Sequence, residues 1–268
     1  MSSVIESLLA GFTPERLLRD PAATGAGVAV AIIDSGIEQS LLQSRHGATL
    51  QPIIGVRVKQ GRPPEFEPDD GHHSTPHGTA VADVVLQVAP QVRLYSVDVF
   101  GAQGSAELDN VIAGLRYAID NWPIRVLNLS LGVVEQKLQQ PAKKQQLYRL
   151  IEEAYYRDIM VVAAAHNEHP LQRSYPAAFA PLLFSVDKGV FDRPDEFSYK
   201  LREFTEFIAH GRGYLGPFTR EPATSWATPH LSGLIAKLLS LEPILKAFEV
   251  KSILYWMFQS RQRSLTVP

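Results

Sequence analysis

The sequence predicts an α/β domain built on a mostly parallel sheet with helices on both faces. Three observations carry this. Short runs of Val, Ile and Leu recur along the chain and are continuous rather than alternating, as strands covered on both faces require. Segments with helical periodicity separate them, which supplies the crossovers that parallel strands need. A length of 268 residues with 45% hydrophobic and 20% charged content is enough to bury a full core in one large domain.

Taken in order, the apolar runs place strands over Val28 to Ile33, Arg93 to Val99, Val126 to Leu131, Met160 to Ala165 and Leu182 to Val186. Helical patterns fall over Gly78 to Val88, Ala106 to Asn121, Lys143 to Arg157, Ser225 to Ser240 and Pro243 to Gln259. Two stretches resist this reading: Lys59 to Thr75, dense in Pro, Gly, Asp and His, and Asp187 to Pro222, of mixed polarity. Both read as loops or irregular hairpins over the active face. Sheets of this kind bind ligands outside the carboxyl ends of their strands, which is where Asp34 and Asn167 fall.

Composition narrows the partners. A formal net charge of −2 with scattered basic residues gives no electrostatic reason for nucleic acid or an anionic membrane. The absence of cysteine removes disulfides and thiolate metal sites, so the core alone must hold the fold. No run of about 18 apolar residues occurs, and the N-terminus lacks the basic and apolar regions of an export signal. Small neutral partners or peptides fit better, and the expectation is a soluble, unexported protein, compatible with a cytoplasmic location.

The chemistry is concentrated in three places. Asp34 ends an apolar strand, His77 opens a helix, and Ser225, in Thr224-Ser225-Trp226-Ala227-Thr228-Pro229-His230, opens another. A serine hydroxyl is a weak nucleophile unless a neutral imidazole takes its proton, and an aspartate can fix the tautomer of that imidazole. Each residue also has a plain structural reading. A Ser after Thr commonly caps a helix, and an Asn after a buried strand commonly makes a left-handed turn.

Over roughly Phe12 to Leu239 the chain resembles the subtilases, the subtilisin-like serine peptidases. Five stretches carry the resemblance in family order: Val28 to Ile37 with Ile33-Asp34-Ser35-Gly36, His77 to Ala82, Val126 to Gly132, Val161 to Glu168, and Thr224 to His230. It implies a three-layer subtilisin-like fold and a triad of Asp34, His77 and Ser225. It also implies Asn167 as the side-chain donor to the oxyanion, and a substrate strand lying between Ser130-Leu131-Gly132 and the Gly101 to Ser105 edge that contains Gly104. Residues 1–22 are then an N-terminal extension and 23–268 the peptidase domain.

The departures from the family pattern matter as much. Ala80 stands where many members have a second His, and Ala223 where a Gly usually precedes Thr-Ser. His166 replaces the Gly that lines the main specificity pocket, which predicts a narrower pocket or one with a polar wall. The helix after His77 runs into Ala89-Pro90 without the loop that wraps calcium in many members, so no metal and no cofactor is expected. Only 33 residues precede Asp34, fewer than the inhibitory pro-domain of exported members takes, so the expectation is either a precursor longer than this chain or a protein that folds unaided and is restrained some other way, for which a regulatory partner protein is one candidate. A peptide ligase or macrocyclase using the same triad, and a non-catalytic peptide-binding module, are the alternatives to hydrolysis.

Overall fold

The computed structural model describes residues 10–47, 50–59, 61, 63–101, 106–138, 140–202 and 204–266. A short helix α1 (Pro14–Leu17) leads into strand β1 (Ala29–Asp34), followed by α2 (Gln39–His46), β2 (Ile54–Lys59) and β3 (Glu65–Pro68). Helix α3 (Pro76–Val88), β4 (Arg93–Asp98), α4 (Leu108–Asn121), β5 (Val126–Leu129) and β6 (Val133–Val134) come next. The rest of the chain gives α5 (Pro141–Tyr156), β7 (Met160–Ala164), β8 (Ser174–Tyr175), β9 (Phe184–Gly189), β10 (Phe197–Arg202), β11 (Thr205–His210), α6 (Thr224–Leu241) and α7 (Ala247–Thr266).

Among the described residues nine strands form one sheet in the order β10-β11-β9-β7-β5-β1-β4-β2-β3. All neighbours are parallel except the two edge pairs, β10 with β11 and β2 with β3. Chain order reverses around β1: β4 lies on one side of it and β5 on the other. The crevice at such a reversal, beyond the strand ends, is the usual ligand position, and Asp34 is the last residue of β1.

Alternation along β1 divides the core. Val28, Val30 and Ile32 face a cluster that includes Val81 and Val85 of α3, Leu231 and Ile235 of α6, and Leu254 and Met257 of α7. Ala29, Ala31 and Ile33 face a second cluster with Leu115 and Ile119 of α4 and Leu147 and Ile151 of α5. Three layers follow directly from every residue of β1 being buried. Leu18, just beyond α1, is fully buried in the first cluster, with Phe12 and Leu17 packed against it.

The two stretches expected to cover the active face are ordered differently. Lys59 to Thr75 contains β3, which pairs antiparallel with β2 and extends one edge of the sheet. Asp187 to Pro222 contains β10 and β11, which extend the other edge. The two outer pairs mix polar and apolar residues: β2, next to the edge, has only Val56 and Val58 buried and β10 only Phe197, while β11 is mostly buried but carries Thr205, Glu206 and His210. The continuous-run criterion therefore passes over them. Helix α7 begins at Ala247 rather than Pro243, and there Glu249 Oε2 accepts from the Lys246 N–H at 2.8 Å.

Candidate active site

The site is assembled at the carboxyl end of β1. Asp34 is 1% exposed, and its Oδ1 accepts from the Ser35 N–H at 2.8 Å. Gly36 then turns the chain with φ of +79°, a conformation that disfavours a side chain. This turn receives the start of α3. A Cβ on Gly78 would lie 2.3 Å from the Gly36 carbonyl oxygen, so only glycine lets α3 approach closely enough to present the preceding residue, His77, to Asp34. Thr75 caps that helix, accepting from the His77 N–H at 3.5 Å, with Pro76 at its first position.

His77 Nδ1 lies 2.9 Å from Asp34 Oδ1 and 3.0 Å from Oδ2. A carboxylate accepts only, so Nδ1 carries the proton and Nε2 is left with its lone pair. Burial alone would push this imidazole down, but the Asp34 charge and hydrogen bond outweigh it and raise His77 above its ordinary value of 6.5. The ring rests against Trp226, 5.0 Å between centroids, and Phe218, 6.2 Å away. These residues and Ser225 line one pocket of about 390 Å³, together with Pro217, Arg220, Glu221 and Ala223.

Ser225 sits in the first turn of α6, whose N-cap residue is Ala223 and has no side chain able to cap. Asn167 supplies the missing acceptor from elsewhere in the chain. Its Oδ1 takes the Thr224 N–H at 3.0 Å and the Thr224 hydroxyl at 3.2 Å. With Oδ1 so engaged, Nδ2 remains as a donor. Four residues after Ser225, Pro229 lies inside the helix and has no N–H to give. The Ser225 carbonyl is taken instead by the Ser130 hydroxyl at 2.9 Å, while the Ser225 hydroxyl donates to the Ser130 carbonyl at 3.1 Å. His77 and Ser225 thus share a pocket, but the serine hydroxyl bonds to Ser130 rather than to the imidazole.

Leu131 and Gly132 follow Ser130 as the chain leaves β5 and lead into β6, which pairs antiparallel with β8. Gly104 lies outside the described residues. His166 is partly exposed, and its Nδ1 accepts from the Glu168 N–H at 3.1 Å. Sequence reasoning did not single out Ser35, whose Oγ accepts from the Gly78 N–H at 3.0 Å, or the aromatic pair Phe218 and Trp226. Ser35 and Trp226 adjoin Asp34 and Ser225 in sequence, whereas nothing in the spacing of Phe218 signals that it meets His77 and Trp226.

Among the described residues no group of three or more His, Asp or Glu is placed to hold a metal ion. Asp69 and Asp70 lie around Arg57, which also donates to Asp98 at 3.1 Å. His72 pairs with Glu38 and His73 with Thr79. Helix α3 is unbroken from Pro76 to Val88. Among the described residues no helix is long and apolar enough to cross a membrane.

Comparison with known proteins agrees with this architecture. The model of the subtilase family matches residues 25–189, a stretch that includes Asp34, His77 and Asn167 and ends before Ser225. An intracellular serine protease of Paenibacillus polymyxa is 30% identical over 236 residues, covering 81% of this chain and 68% of that protein. Subtilisin Savinase of Lederbergia lenta is 30% identical over 230 residues, covering 82% and 79%. Among solved structures, a cold-adapted subtilisin-like serine proteinase aligns with a TM-score of 0.61 at 23% identity, covering 87% of this chain and 82% of the other. A lanthipeptide protease aligns at 0.67 and 19% identity, covering 94% and 86%.

Proposed function

Since this chain belongs to the subtilase family of serine proteases, we propose that it cleaves peptide bonds within extended chains through Asp34, His77, Ser225 and an acyl-enzyme. The observation that carries the reading is His77 Nδ1 paired with both oxygens of a buried Asp34, beside a pocket that Ser225 also lines.

The steps follow from the groups present. Ser225 turns its hydroxyl from the Ser130 carbonyl to His77 Nε2 by rotation about Cα–Cβ, and Oγ attacks the scissile carbonyl as Nε2 takes the proton. Asp34 stabilises the imidazolium. The oxyanion receives the Ser225 N–H, at the positive end of α6, and the Nδ2 donor of Asn167. The intermediate collapses, the leaving amine takes the proton from Nε2, and an ester remains on Ser225. Water then attacks the ester as His77 Nε2 takes its proton, and Nε2 returns that proton to Ser225 Oγ as the acid leaves. The His77 side chain is 28% exposed, so water can reach the ester, which favours hydrolysis over transfer to a second peptide.

Ser130, Leu131 and Gly132 form one wall for the substrate. His166 narrows the pocket for the residue before the scissile bond. We take 23–268 as the peptidase domain and place the activity in the cytoplasm, in line with the intracellular relative.

The test is labelling with a fluorophosphonate followed by peptide mapping. One adduct on Ser225 is expected, absent from Ser225→Ala, with turnover in that variant reduced on the order of 10⁶-fold. That magnitude is the one known for subtilisin itself rather than a value obtained for this chain. Turnover in Ser225→Ala within about tenfold of the parent would end the reading.

A further inference from the structure

Asn167 is gripped from a second direction. Lys188, near the end of β9, donates from Nζ to the Asn167 backbone carbonyl at 2.9 Å and lies 3.4 Å from Asn167 Oδ1. With the Thr224 N–H and hydroxyl, three donors converge on one atom of the amide. That convergence identifies the atom as oxygen and holds Nδ2 on the opposite side of the group. The lysine stem is itself confined: a Cβ on Gly211 would come within 3.0 Å of Lys188 Cβ. Among the described residues Nζ bonds Asn167 and no carboxylate, so its charge is not neutralised by a partner.

We propose that Lys188 is a positioning residue for the oxyanion site, fixing the orientation of the Asn167 amide and polarising it with a positive charge set behind its oxygen. The inference rests on the reading of Asn167 as the oxyanion donor. An ammonium on the oxygen side of an amide draws electron density from the nitrogen side and makes its N–H a better donor. A stronger donor counts most toward the negative charge that grows on the substrate oxygen in the transition state. The site is open to solvent on one side, so salt should weaken the effect.

The experiment compares the full-length parent with Lys188→Met, Lys188→Gln and Lys188→Arg on one peptide substrate, and repeats Lys188→Met in an Asn167→Ala background. Lys188→Met and Lys188→Gln are expected to lower kcat about tenfold with KM changed less than about twofold, because the contact acts on the transition state. Lys188→Arg should recover kcat to within about threefold, and raising salt from about 0.05 M to about 1 M should narrow the gap between parent and Lys188→Met. In the Asn167→Ala background, Lys188→Met should change kcat by less than about twofold, since Lys188 acts through Asn167.

Asn167→Ala separates the two claims. If it lowers kcat by about 10² to 10³, the magnitude known for the equivalent donor in subtilisin, while the folded Lys188 variants stay within about twofold of the parent, the role of Lys188 is overturned and the oxyanion reading stands. An undiminished Lys188→Met effect without Asn167 also overturns it. If Asn167→Ala leaves kcat unchanged, the oxyanion reading fails and the inference with it.

Discussion

Ser130 and Ser225 exchange hydrogen bonds, each hydroxyl donating to the other's backbone carbonyl, at 2.9 and 3.1 Å. The exchange exists because Pro229 withholds the N–H that would otherwise have taken the Ser225 carbonyl within α6. Behind it, Asn128 donates to Ser130 Oγ at 3.0 Å and accepts from Ser232 Oγ at 2.9 Å. The end of β5 and the start of α6 are thereby joined by a continuous polar chain through an otherwise apolar interface.

This chain of bonds makes a coupling prediction. Ser130→Ala leaves the Ser225 carbonyl without a donor and Asn128 Nδ2 without an acceptor, and should lower stability by about 1 to 3 kcal/mol. Pro229→Ala restores an intrahelical donor for that carbonyl, so Ser130→Ala should cost less in the Pro229→Ala background. Urea denaturation of the four proteins gives the coupling, and strict additivity would show that Pro229 and Ser130 act independently.

On the proposed mechanism, the raised pKa of His77 sets the acid limb of the rate profile. The base must be neutral, and its folded value lies above 6.5, so kcat/KM should fall tenfold per pH unit below a midpoint that is also above 6.5. Asp34→Asn removes the charge responsible and should move the midpoint down while lowering kcat. The same shift stabilises the fold fully below the unfolded value, and that contribution is lost as pH rises through the folded one. A midpoint below 6.5 in the parent would contradict this assignment.

His230 should act in the opposite direction. It is fully buried, donates to the Trp226 carbonyl at 2.7 Å and has the Tyr214 hydroxyl at 2.8 Å from Nε2. Burial is the main cause that lowers it to about 3. The unfolded chain therefore binds more protons between its ordinary value of 6.5 and that low value, and stability should fall with pH across this window by up to about 1.4 kcal/mol per unit. His230→Gln should flatten that slope. A slope unchanged in the variant would assign acid sensitivity to other groups.

On the proposed reading, His166 sets specificity. Replacing it by glycine should widen the pocket and raise kcat/KM about tenfold to a hundredfold for Phe or Leu before the scissile bond, leaving small residues nearly unchanged. A peptide library reads this directly. If parent and His166→Gly rank it alike, the bond from the Glu168 N–H holds the ring outside the pocket.

The sequence by itself determined the central strands and pointed to Asp34, His77 and Ser225. Residues 29–34, 126–129 and 160–164 are buried along their whole length, and burial on both faces writes an uninterrupted apolar run that can be read without a structure. Asp34 and His77 were likewise legible, because a strand end and a helix start are local features. The edge hairpins were not, since β2 and β10 are covered on too little of their surface to leave such a run. Only the tertiary structure decided the partners: that Ser225 meets Ser130 from 95 positions away, that Asn167 caps a helix 57 positions downstream, and that Lys188 stands behind its amide. Hydrogen bonds of this kind depend on which strand ends and helix starts the sheet order brings side by side, and no local pattern of residue types encodes that juxtaposition.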